Sequence, residues 1–159
     1  MAKSHKLLIL AAAATALFGS VALTTTPALA VDSAASAIEA RKAIFKRMES
    51  NMRPLAAIAR GRAPADKATM ERHSAAIASA ARQISGAFRT NTASSSVETE
   101  AKDSIWSNKA DFDAKAARLV TASNTLSTAA SSGDAARFRT ALVAVGQACK
   151  DCHDSYRTK

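Results

Sequence analysis

The chain has 159 residues, 48% hydrophobic but only 4% aromatic, with 22 Lys and Arg against 13 Asp and Glu. Its basic residues are scattered rather than gathered into a stripe. With so few aromatics this argues against a nucleic-acid partner and for solvated helix faces, although an acidic redox partner or an anionic surface would suit the net positive charge.

The first residues read as a secretory signal. "MAKSHK" is a cationic start, "LLILAAAATALFGSVAL" an apolar run, and "PALA" a small-x-small cleavage pattern ending at Ala30. A retained membrane anchor fits less well, because the run is short, Ala-rich and followed by Thr24, Thr25, Thr26 and Pro27. Residues 1–30 are therefore expected to be removed, leaving 159 − 30 = 129 residues, one domain's worth. Lys3 and Lys6 leave with the signal, so the mature charge is 20 − 13 = +7. No later segment is apolar enough to span a bilayer. The expectation is a periplasmic protein with no membrane partner after cleavage. Its interior would be built largely from Ala, with one Trp and one Tyr. Ala favours helix but buries little area, so something else is needed to fill the middle.

Four helical segments follow in chain order. The first is expected over 33–60, with Ile38, Phe45, Met48, Met52 and Leu55 on one face and Arg41 on the same stripe. Gly61 ends it and Pro64 starts the next. The second runs over 65–88 with Met70, Ile77, Ile84 and Phe88 inward, and a polar connection occupies 89–99. The third, over 102–130, repeats Ile105, Phe112, Leu119 and Leu126 every seven residues. After the "SSGD" turn, Gly133 closes it and Asp134 caps the fourth. That helix carries Phe138, Leu142, Val145, Cys149, Cys152 and Tyr156 at alternating spacings of four and three, a bundle seam. The fold class is all-α, an antiparallel up-down-up-down four-helix bundle.

The only two cysteines stand in "CKDCHDSYRTK", residues 149–159, with His153 directly after the second. A redox dithiol belongs at a helix start beside a βαβ unit, where the dipole lowers the thiol pKa; this pair sits at the end of a helix. Tetrahedral zinc needs further ligands, and the other histidine of the mature chain, His73, is distant in sequence. A disulfide within C-x-x-C strains helix geometry. Haem attachment uses all three residues: two thiols add to the two vinyl groups, and the next residue's imidazole reaches the iron. Cofactor, export signal and under-filled core agree. The expectation is one haem c per chain, covalently held in the core by Cys149 and Cys152, with His153 as axial iron ligand.

With "AIEARKAIF" (37–45), "PLAAIARG" (54–61), "TEAKDSIWS" (99–107), Phe112 and the C-terminal motif, the mature chain resembles the class II c-type cytochromes, specifically cytochrome c prime. The resemblance implies the four-helix bundle already derived. It places Arg41 and its neighbour Lys42 by the haem and its propionates, Glu100 at a haem edge, and Arg157 on the proximal face near His153. Four residues after Arg41, the low-spin members carry the Met that supplies the sixth iron ligand; here stands Phe45, which cannot ligate iron but can screen the distal face. The implied state is five-coordinate and high-spin, open to uncharged gases such as NO and CO. Met48 and Met52, further along the same helix, and His73 are the residues that would close it; each reads more simply as packing or surface. Two functions follow, gas binding and electron transfer with redox partner proteins. An enzyme is disfavoured because no distal His and Arg pair is present. The family often forms homodimers through its first two helices, and the small side chains there are compatible with one.

Overall fold

The computed structural model describes residues 27–158, with side chains from Ser33 onward. The expected signal sequence lies outside the described residues up to residue 26. Among the described residues there are six helices: α1 (Pro27–Ala59), α2 (Lys67–Ala81), α3 (Ile84–Ala87), α4 (Ser104–Ser107), α5 (Lys109–Ser132) and α6 (Ala135–Tyr156). The four long ones, α1, α2, α5 and α6, form the expected antiparallel bundle. Helix α1 packs against α2 and α6, and α5 packs against the same two from the other side.

Their seams bury the residues that the heptad spacing selects. Ile105, Phe112, Leu119 and Leu126 are all inside, as are Phe138, Leu142, Val145 and Tyr156. On α1, Ile38, Arg41, Met48 and Leu55 are buried together with Ile44 and Ile58. Phe45 departs from the expected stripe: it is 38% exposed and turns toward a cavity described below. Pro54 is accommodated inside α1 without ending it.

Helix boundaries differ from the expectation in four places, the last three for a local reason. Helix α1 already runs from Pro27. Helix α2 starts at Lys67 rather than at Pro64, because Asp66 caps it, its Oδ2 accepting the Thr69 amide at 2.7 Å. The helix expected to continue to Phe88 tightens after Ala81. The Gln83 amide donates to Ala80 O at 3.0 Å, a three-residue bond, and one further turn, α3, carries Ile84 inward. The third segment is interrupted at Asn108 (φ −121°, ψ 40°), whose side-chain amide donates to the Ser104 carbonyl at 3.2 Å. An asparagine that bonds the backbone in this way competes with helix continuation.

The turns are as expected. Gly61 (φ +68°) and Gly133 (φ +73°) occupy the left-handed conformation that ends a helix at low steric cost. The Arg62 amide reaches back to Ala57 O at 2.9 Å, completing the helix end beyond Gly61. Asp134 accepts the amides of Ala136 and Arg137 at 2.9 and 3.0 Å.

Those two amide bonds hold the Asp134 carboxyl below the usual aspartate range. A folded-state pKa that is depressed contributes stability above the unfolded pKa, and that contribution disappears as pH falls through the folded value. Asp134→Ala is therefore expected to lower the urea midpoint at neutral pH. The gap to the parent protein should close as pH is taken below the folded pKa, read from unfolding curves at a series of pH values.

Candidate functional site

At the end of the bundle where α6 terminates, the alanine-rich helices do not meet. They enclose a cavity of about 1030 Å³, at the top of the range of about 300–1000 Å³ common for ligand sites. Helix α1 supplies Ile38, Arg41, Phe45 and Met48, α5 supplies Phe112, Ala116 and Leu119, and α6 supplies Cys149, Cys152, His153 and Tyr156. Ile84 and Phe88 close it on the α3 side, and residues 98–101 of the long connection form part of its rim.

Spacing on α6 explains why the two cysteines arrive together with Tyr156. Positions 149, 152 and 156 share one helix face, so both cysteines look into the cavity from the seam and are half-buried. Burial pushes both thiols up, that of Cys149 reinforced by Cys152 and that of Cys152 opposed by Lys115. Neutral thiols at a helix end are the reverse of a reactive dithiol. Among the described residues no group of three or more His, Cys, Asp or Glu converges as a metal cluster would, which leaves zinc without its ligands. His153 stands at the cavity mouth. Desolvation, with help from Arg157, holds its imidazole below the usual histidine range, which favours the neutral ring with its free lone pair. A large apolar cavity, two half-buried thiols on its wall and a neutral imidazole beside them fit a haem.

Two polar knots fix the long connection around this cavity. At one end, Arg41 is buried, and its guanidinium donates to Ala87 O (2.9 Å), Thr92 Oγ1 (2.7 Å) and Thr90 O (2.6 Å). Its Cζ lies 4.5 Å from the Phe88 ring centroid and 5.3 Å from that of Trp106, within cation–π reach. Trp106 in turn donates its indole N–H to Phe88 O at 3.2 Å. Arg41 thus lines the cavity while three of its N–H groups are committed to the 87–92 segment.

At the other end, the backbone of 100–102 is stitched to the end of α6. The Lys102 amide donates to Tyr156 O (3.0 Å) and the Thr158 amide to Glu100 O (2.8 Å). The Lys102 ammonium caps the Asp154 and Ser155 carbonyls at 3.4 and 3.3 Å. Arg157 follows Tyr156, the last residue of α6, and its amide still donates to His153 O at 3.0 Å. It is extended (φ −115°, ψ 135°) and pairs with Ala101 as an antiparallel bridge. Its Nε and Nη2 each lie 2.6 Å from Glu100 Oε2. Glu100 and Arg157 are consequently one ion pair at the cavity rim, and Arg157 holds the Glu100 carboxyl below the usual range.

The remaining named residues divide clearly. Lys42 lines the rim, exposed, with Nζ 2.9 Å from Glu39 Oε1. Met48 is buried and faces the cavity, whereas Met52 packs on the core and is not part of the lining. His73 lies away from the cavity, its Nδ1 2.8 Å from Asn51 Oδ1. Tyr156 bonds Asp111 Oδ2 at 2.6 Å; burial, with that bond, raises its phenol to about 12. Sequence reasoning missed Thr92 and Asp111, because a threonine in a Ser/Thr-rich loop and an aspartate in a helix's first turn carry no signal of their distant partners.

A bundle whose last helix presents C-x-x-C-H to a large apolar cavity has the architecture of a class II c-type cytochrome. The profile of the family described as cytochrome c' matches residues 36–157, and the chain belongs to that family. A cytochrome c' from Pararhodospirillum photometricum is 37% identical over 120 residues, covering 76% of this chain and 94% of that protein. A cytochrome c-556 from Agrobacterium tumefaciens is 34% identical over 79% of this chain and 99% of its own length. Among solved structures, the nitric oxide complex of a mutant cytochrome c prime from Alcaligenes xylosoxidans superposes with a TM-score of 0.73 at 29% identity, covering 79% of this chain and 97% of that one.

Thr92→Val tests the Arg41 knot. It keeps the shape and removes the acceptor of a buried cation, so it is expected to cost about 1–3 kcal/mol of unfolding free energy, measured by urea titration. An unchanged midpoint would mean the guanidinium finds another acceptor.

Proposed function

We propose that this member of the cytochrome c' family is exported to the periplasm with loss of residues 1–30. It then carries one haem c through thioether bonds from Cys149 and Cys152, binds neutral diatomic gases such as NO and CO, and takes part in electron transfer. The observation that carries the reading is that Phe45, a side chain with no donor atom, lines from α1 the same cavity that His153 lines from α6. When bound, haem supplies an iron that exchanges one electron and accepts a small neutral ligand.

The chain's own residues do the rest. His153 would offer the iron a ring nitrogen, and Cys149 and Cys152 would hold the haem through their sulfurs. Phe45, backed by Phe88 at 6.3 Å between ring centroids, would keep water from the part of the cavity it lines. Arg41, whose fork is engaged with Ala87, Thr90 and Thr92, offers the gas little hydrogen bonding, which favours NO and CO over oxygen. Lys42 and the Glu100–Arg157 pair sit at the rim, where propionates and solvent meet. The relative seen as a nitric oxide complex supports the gas reading. No helix among the described residues is long and apolar enough to cross a membrane, in keeping with an exported protein. Its partners are redox proteins, together with a second copy of the chain meeting it through α1 and α2. No enzymatic reaction is assigned.

Met48 favours a second reading, since it is buried, faces the cavity and carries a soft sulfur: a low-spin His/Met carrier devoted to electron transfer. Absorption spectra of the purified protein with and without CO separate the two. A high-spin spectrum that shifts with CO is expected, as is conversion to low-spin in Phe45→Met. A low-spin spectrum in the parent protein that becomes high-spin in Met48→Leu would replace the first reading with the second.

A further inference from the structure

Tyr156 is the chain's single tyrosine. It is buried, lines the cavity one turn after Cys152, and stacks edge-on against Phe112 at 5.4 Å. A phenol has one proton to donate, and two acceptors stand near it: Asp111 Oδ2 at 2.6 Å and Asn108 O at 3.4 Å. The carboxylate is nearer and charged, so it takes the bond. Asp111 is itself exposed and faces Lys115 Nζ at 3.7 Å. The ring therefore sits in the pocket, while its proton points at a base that opens to water.

A phenol resists giving up a proton alone, and resists giving up an electron alone inside an apolar wall. Losing both together avoids creating a buried charge, and a base at hydrogen-bond distance makes that possible. We propose that Tyr156 and Asp111 form a proton-coupled electron donor to the haem pocket, which acts when hydrogen peroxide or an organic hydroperoxide reacts there. The proposal rests on the haem reading above.

The electron count closes. Reduction of one hydrogen peroxide to two waters takes two electrons and two protons. The iron, entering ferrous and leaving ferric, gives one electron, and Tyr156 gives the other. The phenolic O–H bond breaks, an O–H bond forms on Asp111 Oδ2, and a neutral tyrosyl radical remains. The protons for water come from solvent, to which Asp111 returns the one it accepted. The pair thus places the second oxidising equivalent on one named side chain. Phe112 and Phe88, 4.8 Å apart, connect that ring to Trp106, 6.4 Å from Phe88, so the indole is the competing site.

The test uses the full haem-loaded protein, reduced and frozen within milliseconds of mixing with hydrogen peroxide, and read by electron paramagnetic resonance. An organic radical signal is expected in the parent. It should narrow when the protein is grown on ring-deuterated tyrosine and vanish in Tyr156→Phe. In Asp111→Asn, which keeps an acceptor oxygen but not a base, it should fall about tenfold or more, with haem content and folding unchanged. A signal that survives Tyr156→Phe, ignores the deuterium, or persists at full strength in Asp111→Asn overturns the proposal and reduces the bond to a tether between α5 and α6. Haem content, read separately by absorption, keeps the two readings apart. A chain without haem overturns both, whereas haem with an unaltered radical overturns only this one.

Discussion

The structure depends on a shortage of side-chain volume. Protein interiors pack to the density of organic crystals, and four helices rich in Ala can reach that density only where larger residues meet. In the half of the bundle near the α5–α6 turn they do: Leu126, Ala129, Ala130, Phe138 and Ile77 close on one another and are buried. Toward the far end of α6 the same backbone geometry leaves about 1030 Å³ unfilled. The site is thus the part of the core whose walls the chain supplies without filling the middle from its own side chains.

A site bounded by several helices and a long connection needs its walls fixed relative to one another, and the polar knots do this. The segment between α3 and α4 has no regular structure and is long for a bundle connection. It is held at one end by Arg41, through Ala87, Thr90 and Thr92, and at the other by Glu100, Ala101 and Lys102 against the end of α6. These are contacts between residues some fifty positions apart. They order the rim from opposite sides, so the walls stay in place without relying on packing across the gap.

What could be read in the sequence follows from this division. Heptad positions such as Phe112 and Leu126, the Gly133 and Asp134 turn, and the seam that carries Cys149 and Cys152 are governed by interactions within a few residues, and they were legible. The placement of Phe45 was legible only through family resemblance, since helical periodicity puts it on the core stripe with Met48. The breaks at Gln83 and Asn108 were hidden, because both lie inside runs with good helical periodicity and are decided by single hydrogen bonds. The pairing of Glu100 with Arg157 and of Arg41 with Thr92 was hidden for another reason. Nothing local distinguishes these residues from other surface charges or loop threonines, and only the folded bundle brings them together.

Cys149, Cys152 and His153 stand on α6, and the walls they share a cavity with come from α1 and α5. Synthesis proceeds from the amino terminus, so those walls are made before the motif residues are. The cavity is not complete until α6 has packed against both α1 and α5. A fault in that docking would leave the earlier helices associated through their own seams around an open side.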